Sequence, residues 1–367
     1  MSAVRSFSAP TRIVAGLGAL ARLGPELEAL GARRIAVACD EGVARAGLLD
    51  GVLAAIPPAA AVVLPLVLPD PLVAHVEAAA ETARAEGCDA VVGVGGGSAL
   101  ALSKAVALLL RNQSPITSYA GWDKAPLAPA PSIALPTTAG SGSEVSNALV
   151  LHDPEQESIV VIRGHGYEPR VAILDGGLLR TLPRRPLVEA ALDALSHAVE
   201  ALSVRGASMF TDALAVAAAD ELHETLPRVL EERADDDLQR LLEASAMANL
   251  ACGSSGLGLV HAISSATRLH APHGRANGVL LPWVATFNRG ALGARALAEG
   301  ERILPLYERI GFEPALRPGD LAEEDLPSVI RVALDSPLHH NNSRHATAAE
   351  LEEILVSAGA QVRGRRV

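Results

Sequence analysis

Asp193 and His197 stand four residues apart in the run Asp193-Ala-Leu-Ser-His197, and His261 and His273 bracket a later apolar stretch that ends in Pro272-His273-Gly274. On a helix, residues i and i+4 share one face, so the carboxylate and the first imidazole would point the same way. One carboxylate and three imidazoles complete the inner shell of a divalent transition metal. Iron, zinc, cobalt or nickel would suit that set alike. Taken singly, each piece has a plainer reading. Asp-x-x-x-His is commonly a solvated helix pair, and a histidine before glycine is commonly a turn residue. Their occurrence together, in chain order, is what favours the metal.

Upstream, the apolar run Val91 to Val94 enters Gly95-Gly96-Gly97-Ser98. Three glycines leave their backbone N–H groups open to a diphosphate. Ser98 opens a helical stretch, Ala99 to Leu110, whose N-terminal dipole favours an anion. A second run of small residues, Pro136 to Glu144, follows the apolar run ending at Leu135. Its Thr137, Thr138, Ser141 and Ser143 offer hydroxyls and N–H groups to phosphate or ribose. The glycine spacing does not match the usual dinucleotide fingerprint, and either loop also reads as an ordinary polar turn. Asp40 follows the first strong strand, Arg34 to Cys39. There it either accepts from a ribose diol, which would favour NAD(H) over NADP(H) by repelling a 2′-phosphate, or caps the next helix. A phosphate loop followed by a metal site points to a metal-assisted dehydrogenase.

These residues need a scaffold. The first half alternates short apolar runs (Arg34 to Cys39, Ala60 to Val67, Ala90 to Val94, Ser132 to Leu135, Val171 to Leu174) with helical stretches such as Leu72 to Glu86. Continuous apolar strands separated by helices predict a mostly parallel sheet covered on both faces, with ligands beyond the carboxyl ends of its strands. After Arg180 to Pro183 the strand signals fade. Long Ala/Leu-rich helical stretches take over at Pro186 to Ser203, Ser208 to Leu230, Leu238 to Ala251, Leu257 to Leu269 and Ala348 to Ser357. The expectation is an α/β dinucleotide-binding domain over residues 1–181 and an all-α metal-binding domain over 182–367, with a surface connection from Phe312 to Asp325. A chain of 367 residues exceeds what one core comfortably supports, which agrees with two domains.

Composition narrows the partners. The formal net charge is -11, and the longest basic block is Arg363-Gly-Arg365-Arg366, so neither nucleic acid nor an anionic membrane is expected. Cys39, Cys88 and Cys252 are odd in number and far apart, as in a reducing compartment. Ser2 to Arg12 lacks the apolar core of a secretion signal, and no apolar run reaches bilayer length. The expected setting is the cytoplasm.

The combination of Gly95-Gly96-Gly97-Ser98 with Lys104, the run from Pro136-Thr137-Thr138 to Ser143-Glu144, Asp193-Ala-Leu-Ser-His197-Ala-Val-Glu200, and Pro272-His273-Gly274 with Asn277 and Leu281-Pro282 resembles the iron-containing (group III) alcohol dehydrogenase family. The resemblance runs nearly end to end, through Asn342-Ser-Arg344 to the final helix. It implies a dehydroquinate synthase-like architecture, with the metal in a cleft between an N-terminal dinucleotide domain and a C-terminal helical domain. It also implies Asp193, His197, His261 and His273 as ligands of one Fe2+ or Zn2+ ion, and an assembly of two or more copies. The reaction implied is hydride transfer between NAD(P) and an alcohol, aldehyde or keto acid.

Three departures bear on the reaction. Ala101 replaces an aspartate usual three residues after the glycine-rich Ser, and Arg163 lies near the place of an arginine carried by the maleylacetate reductase subgroup, so a keto acid is the alternative substrate. The family's usual lysine near Ile159 is missing. Ser265 stands where a second histidine is common, and the stretch between His261 and His273 is about two residues short; His270 is the remaining candidate for a proton relay. A dehydroquinate synthase-like lyase would need more basic residues near the metal than Arg268 and Arg275. A non-catalytic homologue is the third reading.

Overall fold

The structure is a computed structural model that describes residues 4–67, 71–156, 158–266 and 269–360. Arg268 and the terminal arginines at 363–366 lie outside them. It divides into two compact units. One holds Ala9–Pro183 with Leu238–Ala246, and the other holds Met1–Ser8, Arg184–Asp237 and Met247–Val367. The main division thus falls between Pro183 and Arg184, and each unit takes a short segment from the other half of the chain.

The α/β unit contains strands β1 (Arg12–Ala15), β2 (Ile35–Cys39), β3 (Ala61–Val63), β4 (Ala90–Gly95), β5 (Gly121–Trp122), β6 (Ser132–Pro136), β7 (Ala148–Asp153), β8 (Ser158–Arg163) and β9 (Val171–Leu174). Its helices are α1 (Leu23–Ala29), α2 (Glu41–Arg45), α3 (Leu48–Ala54), α4 (Val73–Ala85) and α5 (Gly97–Leu109). Six strands form one sheet in the order β1-β9-β6-β4-β2-β3, every pair parallel. Strands β2, β4, β6 and β9 are buried at every residue, as parallel strands covered on both faces must be. From β2 the chain goes outward to β3 and then returns to β4 on the other side. The order therefore reverses between β2 and β4, and ligands of such sheets bind beyond the carboxyl ends at that reversal. Asp40 and Gly95–Gly97 both sit there.

Helix α5 is buried at every position from Ala99 to Leu109. An apolar surface all round fits a helix packed on several sides, here against β4, β6, β7 and α4. A small second sheet, β5-β8-β7, joins β7 and β8 as an antiparallel hairpin.

The other unit is helical: α6 (Arg184–Ser203), α7 (Met209–Glu231), α8 (Asp235–Ser255), α9 (Leu259–Ser264), α10 (His273–Asn288), α11 (Ala294–Ile310), α12 (Leu326–Asp335), α13 (Pro337–Asn341) and α14 (Ala348–Ser357). Helix α8 contributes its Leu238–Ala246 segment to the α/β unit. Helix α9 stops at Ser264, five residues short of the predicted Leu269, where Ser265 caps it. The connection from Phe312 to Asp325 is largely irregular, but it buries Leu316 and Leu321 and is not purely a surface strap. Cys39, Cys88 and Cys252 are buried, and none is in a disulfide among the described residues. No helix among the described residues is long and apolar enough to cross a membrane.

Candidate active site

Helix α6 brings Asp193, His197 and Glu200 to one face at positions i, i+4 and i+7, all three buried. The carboxylate oxygen Oδ1 of Asp193 lies 3.9 Å from Nε2 of His197, 3.8 Å from Nε2 of His261 on α9 and 3.9 Å from Nε2 of His273 at the start of α10. The rings of His197 and His261 stack at 4.8 Å, and that of His273 meets His261 edge-on at 5.4 Å. Ligand atoms of Asp193, His197 and His261 all fall within 4.8 Å of one another. His273 joins them through Asp193 from the surface, with its side chain 50% exposed. Glycine makes this approach possible: a β-carbon on Gly278 would sit 2.8 Å from Leu192 Cδ1, so α10 packs directly on α6.

The electrostatics show what the cluster is built to hold. Burial alone would raise the Asp193 carboxyl, but His197, His261 and His273 outweigh it and keep the group below the usual carboxylate range. Burial pushes the His197 imidazole down to about 4 against the pull of Asp193. Burial also opposes charge on His261, yet hydrogen bonds to Asp193 and Glu200 raise it to about 9. Three imidazole Nε2 atoms surround one carboxylate oxygen, and a divalent cation among them would satisfy all four. Metal–ligand bonds of about 2.0–2.2 Å in a tetrahedron require ligand atoms roughly 3.4 Å apart, a few tenths of an ångström tighter than found. The donor set therefore fits a divalent metal.

Two neighbours complete the cluster. Glu200 accepts from His261 Nδ1 at 2.7 Å and from the Val260 N–H at 2.7 Å. Asn277 directs Nδ2 at Asp193 Oδ1 (2.6 Å), His261 Nε2 (3.0 Å) and His273 Nε2 (3.1 Å). Both residues lie in the motifs that carried the resemblance. Spacing assigned them no role, because a glutamate on a helix is ordinarily solvated and their partners are distant in sequence.

In the α/β unit the two loops meet. The ladder continues as Thr137 N–H donates to Gly95 O at 3.0 Å. A β-carbon on Gly96 would lie 3.4 Å from Thr138 Oγ1, and one on Gly97 would lie 2.9 Å from Ser141 Cβ. Loop-on-loop packing is thus a second reason for glycine here, besides access for a phosphate. Ser98 is in the first turn of α5, while Ser143 is buried with its N–H directed at Ser141 Oγ. Asp40 caps α2, its Oδ1 accepting from Val43 N–H at 2.8 Å, while Oδ2 stands over Gly95, 2.8 Å from where a β-carbon would be.

Lys104 supports the second loop from below. Its Nζ is buried and donates to the carbonyl oxygens of Ser146 and Ala148. Burial pushes the amine down to about 7. Ala101 is buried on the same helix. Arg163 ends β8, with its Nε buried and without a hydrogen-bond partner among the described residues.

Other expected residues are not brought to the metal cluster. His270 is exposed, its N–H donates to Asp320 O at 2.7 Å, and among the described residues no hydrogen bond or ring contact joins its imidazole to the four ligands. Ser265 is exposed at the end of α9. Arg275 is buried but committed to Asp320 and to the Ala315 carbonyl, so it offers no free cation for a phosphorylated substrate.

The profile described as iron-containing alcohol dehydrogenase matches residues 10–176, and that of the Fe-containing alcohol dehydrogenase family, C-terminal, matches residues 187–359. The chain belongs to the iron-containing alcohol dehydrogenase family. It is accordingly an oxidoreductase of that family. Among its relatives, a probable alcohol dehydrogenase EutG of Salmonella typhimurium strain LT2 is 34% identical over 97% of this chain and 95% of its own. An NAD-dependent methanol dehydrogenase of Bacillus methanolicus is 29% identical, over 96% and 99%. The structure of a 1,3-propanediol oxidoreductase superposes with a TM-score of 0.92 at 28% identity, covering 97% of this chain and all of that one. A maleylacetate reductase from Rhizobium sp. strain MTP-10005 superposes at 0.82 with 27% identity, covering 97% of each chain.

Proposed function

We propose that the protein interconverts a small alcohol and its aldehyde or ketone, with NAD(H) as hydride carrier and one divalent metal held by Asp193, His197, His261 and His273. The observation that carries this reading is the placement of three imidazole Nε2 atoms within 3.8–3.9 Å of one buried carboxylate oxygen. When bound, the ion supplies a Lewis acid that polarises the substrate oxygen. The donor set accepts iron or zinc, and the affinity order favours zinc at equal supply. Asp193 holds its negative charge because the imidazoles around it oppose protonation. His273, half exposed, is the ligand that solvent and substrate reach.

Gly95–Gly97, Ser98, Thr137, Thr138, Ser141 and Ser143 form the proposed diphosphate and ribose contacts. Asp40 at the sheet's reversal supports NAD(H) over NADP(H), because its Oδ2 would repel a 2′-phosphate. Domains split near residues 181–182, a cytoplasmic location and an assembly of two or more copies complete the reading. Three buried cysteines, none in a disulfide among the described residues, support the location. Exposed Trp122, Val150 and Val161 on the small sheet support self-association.

Steady NADH consumption with one member of an aldehyde and ketone panel, lost on chelation and restored by Fe2+ or Zn2+, tests the proposal. No turnover with any member, in protein shown to contain metal, would refute it. A keto-acid substrate is the second reading, favoured by the unpartnered Nε of Arg163. Arg163→Lys should then raise KM for maleylacetate far more than for a neutral aldehyde, since lysine cannot reproduce a bidentate contact.

A further inference from the structure

Helix α9 is six residues long and carries one candidate ligand, His261, yet its N-cap is Gly258, which has no side chain to cap it. The first turn is held instead from a distance. Leu259 N–H is directed at Asn342 Oδ1 at 3.4 Å, and Val260 N–H donates to Glu200 Oε1 at 2.7 Å. The second oxygen of Glu200 meets His261 Nδ1 at 2.7 Å. Both oxygens of this buried carboxylate are therefore spent on two consecutive residues of α9. Gly258 leaves room for it, since a β-carbon there would lie 3.0 Å from Glu200 Oε1.

A carboxylate can only accept at this contact, so His261 Nδ1 must carry the hydrogen. On the other side of the ring, Nε2 lies 3.8 Å from Asp193 Oδ1 and 3.0 Å from Asn277 Nδ2. The Glu200 contact thus turns Nδ1 away from the cluster and leaves Nε2 as the atom that faces Asp193. His197 has no such support, because its buried Nδ1 has no hydrogen-bond partner among the described residues.

We infer that Glu200 is a positioning residue that holds Nδ1 of His261 by a hydrogen bond and fixes the α9 backbone beneath it, so that the ring presents Nε2 to the cluster in a set orientation, a support that His197 lacks. The inference rests on the metal reading only for its consequence, tighter metal binding; the ring's hydrogen pattern stands apart from it.

The test compares the full-length protein with Glu200→Gln, which keeps the shape but offers only one acceptor to two donors. In chelator-treated wild type labelled with 15N-histidine, His261 should show a protonated, hydrogen-bonded Nδ1, and in Glu200→Gln that signal should be lost. Zn2+ affinity, measured by competition with a fluorescent chelator, should fall about 10- to 100-fold, the usual cost of removing such a partner. A melting scan confirms that the variant is folded. A bare Nδ1 on His261 in the wild type would overturn the inference and needs no variant. So would a folded Glu200→Gln that keeps both the hydrogen-bonded Nδ1–H signal and a Zn2+ affinity within twofold of wild type. If wild type itself fails to bind Zn2+, the metal reading fails, and the nitrogen spectrum alone still decides whether Glu200 sets the ring.

Discussion

Gly274 packs so closely on Glu189 that a β-carbon on the glycine would come within 2.4 Å of the glutamate's backbone carbonyl oxygen. That contact sets how near the first turn of α10, and hence His273, can come to Asp193 on α6. Gly274→Ala must push the helices apart or distort one. Overpacking of this kind costs about 1–3 kcal/mol. Zn2+ affinity should fall at least tenfold, with a lower melting temperature. Unchanged affinity would mean that His273 does not depend on this approach.

The ligands should not be equal. His261 is buried between two carboxylates, Asp193 and Glu200, and His261→Ala leaves both buried without their partner. It should abolish tight metal binding and lower stability. His273 is half exposed, so His273→Ala should weaken metal binding while leaving the melting temperature of the metal-free protein near wild type. Elemental analysis of the purified variants, paired with thermal melts, distinguishes the two outcomes.

Asp40 caps α2 as well as standing at the sheet's reversal, so its removal by glycine would mix two effects. Serine keeps a capping oxygen and discards the charge. Asp40→Ser should move the ratio of kcat/KM for NADH and NADPH toward NADPH, with stability within about 0.5 kcal/mol. A ratio that does not move would leave Asp40 as a helix cap alone.

His223 on α7 lies buried 3.6 Å from Glu299 on α11. Burial, with the nearby charge of Arg302, pushes its imidazole down to about 4. The unfolded chain therefore binds a proton that the folded chain resists between about pH 6.5 and pH 4. The stability from keeping His223 neutral is fully present above pH 6.5 and declines across that window, by an amount on the order of 1–3 kcal/mol. Glu299, raised by burial, works in the opposite direction and softens the loss. In urea titrations the gap between wild type and His223→Gln should narrow as pH falls through the window. A constant gap would show that His223 titrates alike in both states.

The exposed ring of His270, tied to the structure only through its backbone, is poorly placed to serve the cluster directly. His270→Ala should keep kcat within about threefold, where a general acid–base residue would cost roughly 10²-fold or more. A loss on that larger scale, with metal content unchanged, would restore it as a relay.

The parallel strands were legible because a strand covered on both faces must be apolar throughout, and β2, β4, β6 and β9 are. The β7–β8 hairpin was not. Val150 and Val161 are paired partners on its exposed face, so apolar residues occupy the positions where alternation should show polar ones. Among site residues, Asp193, His197, His261 and His273 stood out by type and spacing. Glu200 did not, because its meaning comes from His261, 61 residues on, and a helix periodicity contains no trace of that partner. Asn341 and Asn342 are similar: they tie the turn after α6, the end of α8 and the start of α9 together through contacts visible only in three dimensions.

The chain has two lysines, Lys104 and Lys124, and they could hardly differ more in access: Lys124 is exposed, while Lys104 is sealed beneath the second small-residue loop. An amine depressed to about 7 is about half uncharged in neutral buffer and would acylate readily if a reagent reached it. What protects it is the segment whose carbonyls it holds. An amine-reactive probe should therefore mark Lys124 at once and Lys104 only as often as the segment at Ser146 and Ala148 lifts, which gives the protein a built-in clock for the opening of that segment.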